Sequence, residues 1–137
     1  MILEKIIYKK DVYALIIRGK KQYKSTGVNF VTQEKDLLQL GFISHKKNHI
    51  IKPHIHKKNK RIISYCTEVL LIKKGILKVQ FYNEKKVNIN KDKKICKNDI
   101  IILFKGGHGF EVTKDCEIIE IKQGPYKEKN DKVLIND

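Results

Sequence analysis

Residues 68–82 read EVLLIKKGILKVQFY, two apolar runs on either side of the polar triplet Lys73-Lys74-Gly75. Both runs are rich in leucine, β-branched and aromatic side chains, which favour strands. A glycine after two polar residues is typical of a hairpin turn. The stretch therefore predicts two strands, Glu68–Ile72 and Ile76–Tyr82, joined by a turn at the triplet.

Similar short runs recur along the chain with turn residues between them, and they predict further strands at Ile6–Tyr8, Tyr13–Ile17, Val28–Val31, Leu40–Ile43, Ile50–His56, Ile100–Phe104, Phe110–Val112 and Glu117–Ile121. The best helix candidate is a short one, Thr32–Leu38, with Thr32 as its N-cap. Regularly spaced short strands without long helical patterns predict an all-β sandwich or barrel.

The chain has 137 residues, which suits one domain. We expect a barrel core at 48–122, an N-terminal β extension at 1–45 and a tail at 123–137. With 41% hydrophobic and 33% charged residues, the chain is neither a disordered tail nor a disulfide scaffold. The apolar runs are far shorter than a membrane span, and Lys9 and Lys10 come too early for a signal peptide. We expect a soluble, cytoplasmic protein.

The net charge of +15 is the strongest signal in the composition. Such a charge suits a nucleic-acid partner. However, Arg18 and Arg61 are the only arginines among 30 basic residues, and dedicated nucleic-acid sites favour arginine for its bidentate hydrogen bonding. Excess lysine together with excess isoleucine is also what an A+T-rich gene encodes. A basic nucleic-acid-binding barrel is therefore the less favoured alternative.

Four side chains suit a metal site. His54 and His56 are two residues apart in a predicted strand, so both imidazoles leave the same face. Glu68 begins an apolar strand, where a carboxylate is costly unless it is paired or bound to a metal. His108 lies in the sequence Gly-Gly-His-Gly, which predicts a tight loop that brings its imidazole close to another strand. Three histidines and a glutamate suit a divalent transition metal.

In this order the four residues resemble the cupin superfamily. Its first motif, G-x5-H-x-H-x(3,4)-E-x6-G, is matched by His54, His56, Glu68 and Gly75, with an extended gap of eleven residues between His56 and Glu68. Its second motif, G-x5-P-x-G-x2-H-x3-N, is matched by Gly106 and His108, with the histidine one residue early. Asn98, Phe104 and Val112 stand in place of the first Gly, the Pro and the Asn of the motif. The resemblance covers residues 48–122.

The resemblance implies a small antiparallel β-barrel of jelly-roll type. It also implies that His54, His56, Glu68 and His108 bind Fe, Mn, Ni, Cu or Zn and leave two adjacent positions of an octahedral ion open. The ion would act as a Lewis acid or a redox centre on a bound molecule. Cupins include isomerases, epimerases, dioxygenases and pure binding modules, so a non-catalytic small-molecule or sugar-binding module is the main alternative to an enzyme.

A sugar-related ligand is weakly preferred. It is expected to be a small anionic molecule, because basic residues are frequent near the predicted barrel mouth: Lys52, Lys57, Lys58, Lys60, Arg61 and Lys105. A role in carbohydrate metabolism would follow. Glu120 and Lys122 lie on one face of a predicted strand, and Tyr126 lies in the turn Gln123–Tyr126 that ends it. These three are candidate catalytic residues, although a solvated charged face is the favoured interpretation of Glu120 and Lys122.

Two further expectations concern cysteines and assembly. Cys66, Cys96 and Cys116 are predicted to be free thiols, because their spacing is wide and their number is odd. Cys66 shares a face with Glu68, so it either lines the pocket or, as we prefer, fills the core. Because short barrel strands leave edges, we expect a homodimer formed through the N-terminal strands of Ile6–Ile17.

Overall fold

A computed structural model describes residues 3–19, 25–126 and 131–135. The chain divides into two compact units, one made of Met1–Gln22 with Tyr65–Asp137 and the other of Tyr23–Ser64. The described residues form eight strands and no helix, which confirms the all-β prediction. The strands are β1 (Leu3–Tyr8), β2 (Asp11–Ile17), β3 (Gly27–Phe30), β4 (Gly41–Ser44), β5 (Glu68–Tyr82), β6 (Lys93–Cys96), β7 (Ile100–Leu103) and β8 (Gly107–Lys122).

The larger unit is one curled antiparallel sheet, and β5 organises it. β8 pairs with β5 along nearly its whole length. The opposite edge of β5 pairs first with β7 and then with β6. β2 joins the far side of β7, and β1 joins β2. Because β5 changes neighbours half-way, the sheet curls into a half-barrel.

The predicted hairpin at Lys73-Lys74-Gly75 is wrong, because β5 runs through the triplet as a single strand. The pairing of β5 with β8 shifts register between Ile72 and Leu77, as in a β-bulge. Gly75 has a φ of +87°, and a Cβ there would collide with the backbone oxygen of Asp115. The turn signal therefore marks a bend within a continuous strand.

The core lies inside the curl of the sheet and is almost entirely aliphatic. Five consecutive residues of β2, Tyr13–Ile17, are buried, and so are Ile101 and Ile102 of β7. Neighbouring strand residues point to opposite faces, so these two central strands are covered on both sides. Side chains of β5 and β6 complete the core: Leu70, Ile72, Leu77, Val79, Phe81 and Ile95.

A polar network ties the end of β2 to the β6–β7 turn. Arg18 donates hydrogen bonds to Asp99 Oδ2 at 2.8 Å, to Glu4 Oε1 at 2.7 Å and to the Lys94 carbonyl at 2.7 Å. The backbone nitrogen of Gly19 donates to the other oxygen of Asp99 at 2.8 Å. Asp99 is buried, so this network compensates a carboxylate that would otherwise be costly.

The smaller unit contains the β3–β4 hairpin. The predicted helix at Thr32–Leu38 is wrong, because Thr32 instead accepts a hydrogen bond from the Leu40 backbone inside the hairpin loop. The predicted strand Ile50–His56 is also wrong, since residues 49–63 have neither strand nor helix. The described residues contain no helix of the length and apolarity that crossing a membrane requires.

Candidate functional site

The larger unit has a cavity of about 700 Å³ between the ends of β5, the start of β8 and the tail. Its wall is mixed in character, with carboxylates, an imidazole, a thiol, a carboxamide and aromatic rings. The lining residues are Tyr65, Cys66, Glu68, Gln80, Tyr82, Lys105, Gly106, Gly107, His108, Gly109, Phe110, Glu120 and Asp131–Ile135. A cavity of this volume suits a small molecule.

The centre of the cavity is a pair of predicted site residues. His108 Nε2 lies 3.1 Å from Glu68 Oε2. His108 pairs with Phe81, thirteen residues along β5 from Glu68. In a straight strand those positions would be about 40 Å apart. Glu68 also pairs with Leu103, five residues before His108, so the bend around Gly75 and the short connection from β7 to β8 together bring the two ends of β5 to face each other.

The contact sets the ionisation of the carboxyl. The hydrogen bond from His108 lowers the pKa of Glu68 from its ordinary value, and burial opposes this shift. Lys122 and Lys132 add weaker attraction that lowers the pKa further. Glu68 is therefore a carboxylate near neutral pH, and its side chain is only 14% exposed.

The glycines beside His108 act differently from the prediction. The loop after β7 is short, and His108 lies within β8 rather than in a tight loop. A Cβ on Gly107 would lie 2.6 Å from Ile135 Cδ1. The glycine therefore lets the tail pack close to the cavity. The tail is also held by Lys86, which donates to the Leu134 carbonyl at 3.2 Å.

Cys66 lines the cavity and is exposed, so the preferred interpretation as a core residue is wrong. Burial of its sulfur and the charge of Glu68 raise the pKa of the thiol. The thiol, rather than the reactive thiolate, is therefore the resting form. Cys96 and Cys116 are half-buried, and all three cysteines are free, as predicted.

The candidate catalytic residues lie at the end of β8. Glu120 lines the cavity. Lys122 Nζ lies 3.7 Å from Glu120 Oε2 and 4.8 Å from the centre of the Tyr126 ring. β8 ends at Lys122, so the predicted turn at Gln123–Tyr126 does end the strand. Of the lysines predicted near a mouth, Lys105 lines the cavity, 2.9 Å from Asp11.

The other two predicted ligands belong to the smaller unit. His54 and His56 are exposed, with ring centres 5.1 Å apart, and His54 Nδ1 lies 2.9 Å from the Lys52 carbonyl. Among residues 3–19, 25–126 and 131–135, no group of three or more His, Cys, Asp or Glu side chains is placed to hold a metal ion. The structure thus brings together Glu68 and His108, and the four-ligand set stays a prediction.

Sequence reasoning missed much of the cavity wall. The sequence predicts a strand that contains Tyr82 and Gln80 but gives neither residue a role, and it gives the tail no part in a site. The apolar triplet Val133-Leu134-Ile135 in a polar tail was the available signal. Of this triplet only Ile135 is half-buried, against Gly107, whereas Val133 and Leu134 line the cavity with most of their surface exposed.

No family model, curated protein or solved structure matches the chain.

Proposed function

We propose that the cavity is a small-molecule binding site centred on Glu68 and His108. The observation that carries the proposal is the 3.1 Å contact between a carboxylate and an imidazole at the wall of a cavity of about 700 Å³. A buried carboxylate beside an imidazole is a frequent feature of functional sites. We further propose that the curled sheet belongs to a cupin-like jelly roll, as the order of the motif residues suggests.

Carboxylate oxygen and imidazole nitrogen are both common ligands of divalent transition metals. Glu68 and His108 supply one of each at the cavity wall, with Glu68 Oε2 3.1 Å from His108 Nε2. We propose that these two residues bind Fe, Mn, Ni, Cu or Zn, which would supply Lewis-acid or redox chemistry. The contribution of His54 and His56 stays a prediction.

The wall favours a polar ligand with several oxygens. Gln80 and Glu120 offer hydrogen bonds, Tyr65 and Tyr82 offer ring surfaces, and Lys105 brings a positive charge. The chain's net charge of +15 would attract anions toward the site. A small carboxylated or phosphorylated molecule, sugar-related by preference, is the ligand we propose. The binding site serves an isomerase, an epimerase, a dioxygenase or a non-catalytic module equally well.

Elemental analysis tests the metal. Protein is purified without chelator as wild type, as His108→Ala and as His49→Ala, which removes an exposed histidine of the smaller unit. We expect near-stoichiometric metal in the wild type and in His49→Ala, and at least a tenfold lower content in His108→Ala. Equal metal in all three proteins, or metal in none, would contradict the proposal.

Thermal unfolding with sugar acids and sugar phosphates tests the ligand. A ligand at a hundred times its Kd stabilises the folded state by about 2.7 kcal/mol. We expect a rise in Tm for the wild type and none for Glu68→Gln, which keeps the shape of the side chain and removes its charge. If every ligand leaves the wild-type Tm unchanged, the cavity does not bind this class of molecule.

A further inference from the structure

The outer edge of β8 has the properties of an interface. Among the described residues β8 pairs with β5 alone, so its other edge has no strand beside it. Apolar side chains on both faces of β8 are exposed: Phe110, Val112, Ile118, Ile119 and Ile121. A long apolar edge strand is a template for pairing with another chain.

The charge of β8 is opposite to that of the chain. Four acids and two lysines lie on it: Glu111, Lys114, Asp115, Glu117, Glu120 and Lys122. Lysines of β5 approach two of the acids, with Lys74 3.7 Å from Glu117 and Lys78 3.6 Å from Glu111. Such exposed pairs contribute little energy and are easily exchanged. In a chain of net charge +15, β8 is therefore a local acidic surface.

The smaller unit carries the complementary surface, residues 45–64, which we call the basic segment. It has seven cations, Lys46, Lys47, Lys52, Lys57, Lys58, Lys60 and Arg61, and no acid occurs between Asp36 and Glu68. Isoleucines are exposed between the cations, and Ile55 is 94% exposed. Most of the segment, residues 49–63, has no regular structure and is similar in length to β8.

We propose that the basic segment of one copy of this chain docks along the β8 edge of a second copy. Lysines would meet the acids of β8, and isoleucines of the two surfaces would pack together. Added strands of this kind take their affinity from main-chain hydrogen bonds along the edge. In the arrangement we propose the exchange is reciprocal, each copy giving its segment to the other, and a reciprocal exchange closes into a two-fold dimer. The proposal is independent of the ligand proposed for the cavity.

A second copy is the favoured occupant because the charge contrast is internal to the chain. β8 carries four acidic residues, whereas the thirty-one residues 37–67 carry none. The β8 edge and the basic segment have opposite charge and both expose isoleucine. Every other copy of the chain therefore carries a complementary surface for each of them. A dimer through the N-terminal strands, as expected from the sequence, would leave β8 exposed, so the two arrangements are distinguishable.

Charge reversal tests the proposal. Asp115→Lys/Glu117→Lys reverses the net charge of β8 and leaves the cavity-lining Glu120 in place. The fourfold variant Lys52→Glu/Lys57→Glu/Lys58→Glu/Lys60→Glu leaves three cations and four acids in the basic segment, which reverses its net charge. Light scattering after size exclusion should show a wild-type dimer of twice the 16.1 kDa chain mass. Each variant alone should dissociate at least tenfold more readily. An equimolar mixture of the two variants should regain the dimer. In the mixed pair the acidic segment of one variant meets the basic β8 of the other, and the basic segment meets the acidic β8.

Three outcomes would overturn the proposal. The wild type could be a monomer at every concentration, which would include docking of the segment within its own chain. Either variant could dimerise as tightly as the wild type, which would place the interface elsewhere. The mixture could remain monomeric while circular dichroism shows both variants folded. A measurement without variants is salt dependence, where we expect at least a tenfold weaker wild-type dimer between about 50 mM and 500 mM salt.

Discussion

Asp99 and Glu68 are two carboxylates of the larger unit that each pair with a basic side chain, and the two pairs differ in what surrounds them. Asp99 lies 2.8 Å from Arg18 at the end of β2, and Glu68 lies 3.1 Å from His108 at the cavity. The side chains of Asp99 and Glu68 are 5% and 14% exposed, so distance and burial hardly separate the two pairs. The two pairs differ instead in the remaining hydrogen bonds of their carboxylates.

The Arg18 pair is saturated by the protein. Both oxygens of Asp99 accept backbone hydrogen bonds, from Gly19 and from Cys96, and Arg18 also holds Glu4. The carboxylate of Glu68 contacts His108 and otherwise borders the cavity. A carboxylate accepts up to about four hydrogen bonds. Unused capacity beside a cavity thus distinguishes a binding pair from a structural one.

The largest expected effect is on stability, and it separates the two pairs. Arg18→Ala leaves Asp99 buried without its cation, so we expect a loss of about 3–5 kcal/mol in the free energy of unfolding. His108→Ala leaves Glu68 beside a cavity that water can enter, so we expect a loss of about 1–2 kcal/mol. Urea unfolding followed by circular dichroism measures both.

Lys74→Ala is the control for this experiment, because it removes an exposed cation 3.7 Å from Glu117. It should change the free energy of unfolding by less than about 1 kcal/mol. If His108→Ala costs as much as Arg18→Ala, the two pairs are equally structural and the comparison fails.

The strand content of the larger unit was predictable because its residues follow local rules. Alternating and continuous apolar runs gave β2, β7 and both halves of β5. The bend at Gly75 was mistaken for a hairpin, because a turn signal marks a change of direction and not whether pairing continues. Residues 50–56 contain the β-branched side chains of a strand, yet a strand also needs a partner, and no strand among the described residues pairs with them.

The approach of Glu68 to His108 was predictable in part. A carboxylate at the start of an apolar strand must find a partner, and that rule singled out Glu68. The Arg18 network was missed because its members are separated by 81 residues, and no local pattern joins them. The scarcity of arginine was a usable signal, since Arg18 is one of two in the chain.

A second prediction concerns the bend at Gly75, which affects the contact of Glu68 with His108 and does not involve the Arg18 network. Gly75→Ala places a Cβ against the backbone of Asp115 at a positive φ, so we expect a loss of about 2–4 kcal/mol. Gly27→Ala is a matched control, because Gly27 has a φ of +92° with no atom within 4 Å of the added Cβ. Its expected loss is about 1–2 kcal/mol.

Thermal unfolding and ligand-induced changes in Tm measure this difference. We expect Gly75→Ala to lose ligand stabilisation, because a disturbed bend separates Glu68 from His108, and Gly27→Ala to keep it. If both variants lose the same stability and both keep the ligand response, the bend does not build the site.

The smallest expected effect is the change of the free energy of unfolding with acid. The carboxyls of Glu4 and Glu68 both lower it as the pH falls. Hydrogen bonds from Arg18 and from His108 lower the pKa values of Glu4 and Glu68 in the folded protein. Below about pH 4.5 the unfolded chain therefore binds protons at these carboxyls first, and stability falls as the pH falls through the folded pKa values. Above that range both contributions are fully present.

Measured by urea unfolding with a chelator present, Glu68→Gln should flatten this acid limb by about 1 kcal/mol and Glu4→Gln, which is more exposed, by about 0.5 kcal/mol. The comparison of the two pairs is tested by which of these variants flattens the acid limb more. Glu4 shares Arg18 with Asp99, so the loss of its charge leaves one carboxylate beside that guanidinium. Glu68 is the carboxylate that His108 contacts, so the loss of its charge removes the pair. Should Glu4→Gln flatten the limb more than Glu68→Gln, the charge of Glu68 is compensated by more than His108, and the cavity pair is more structural than its geometry indicates.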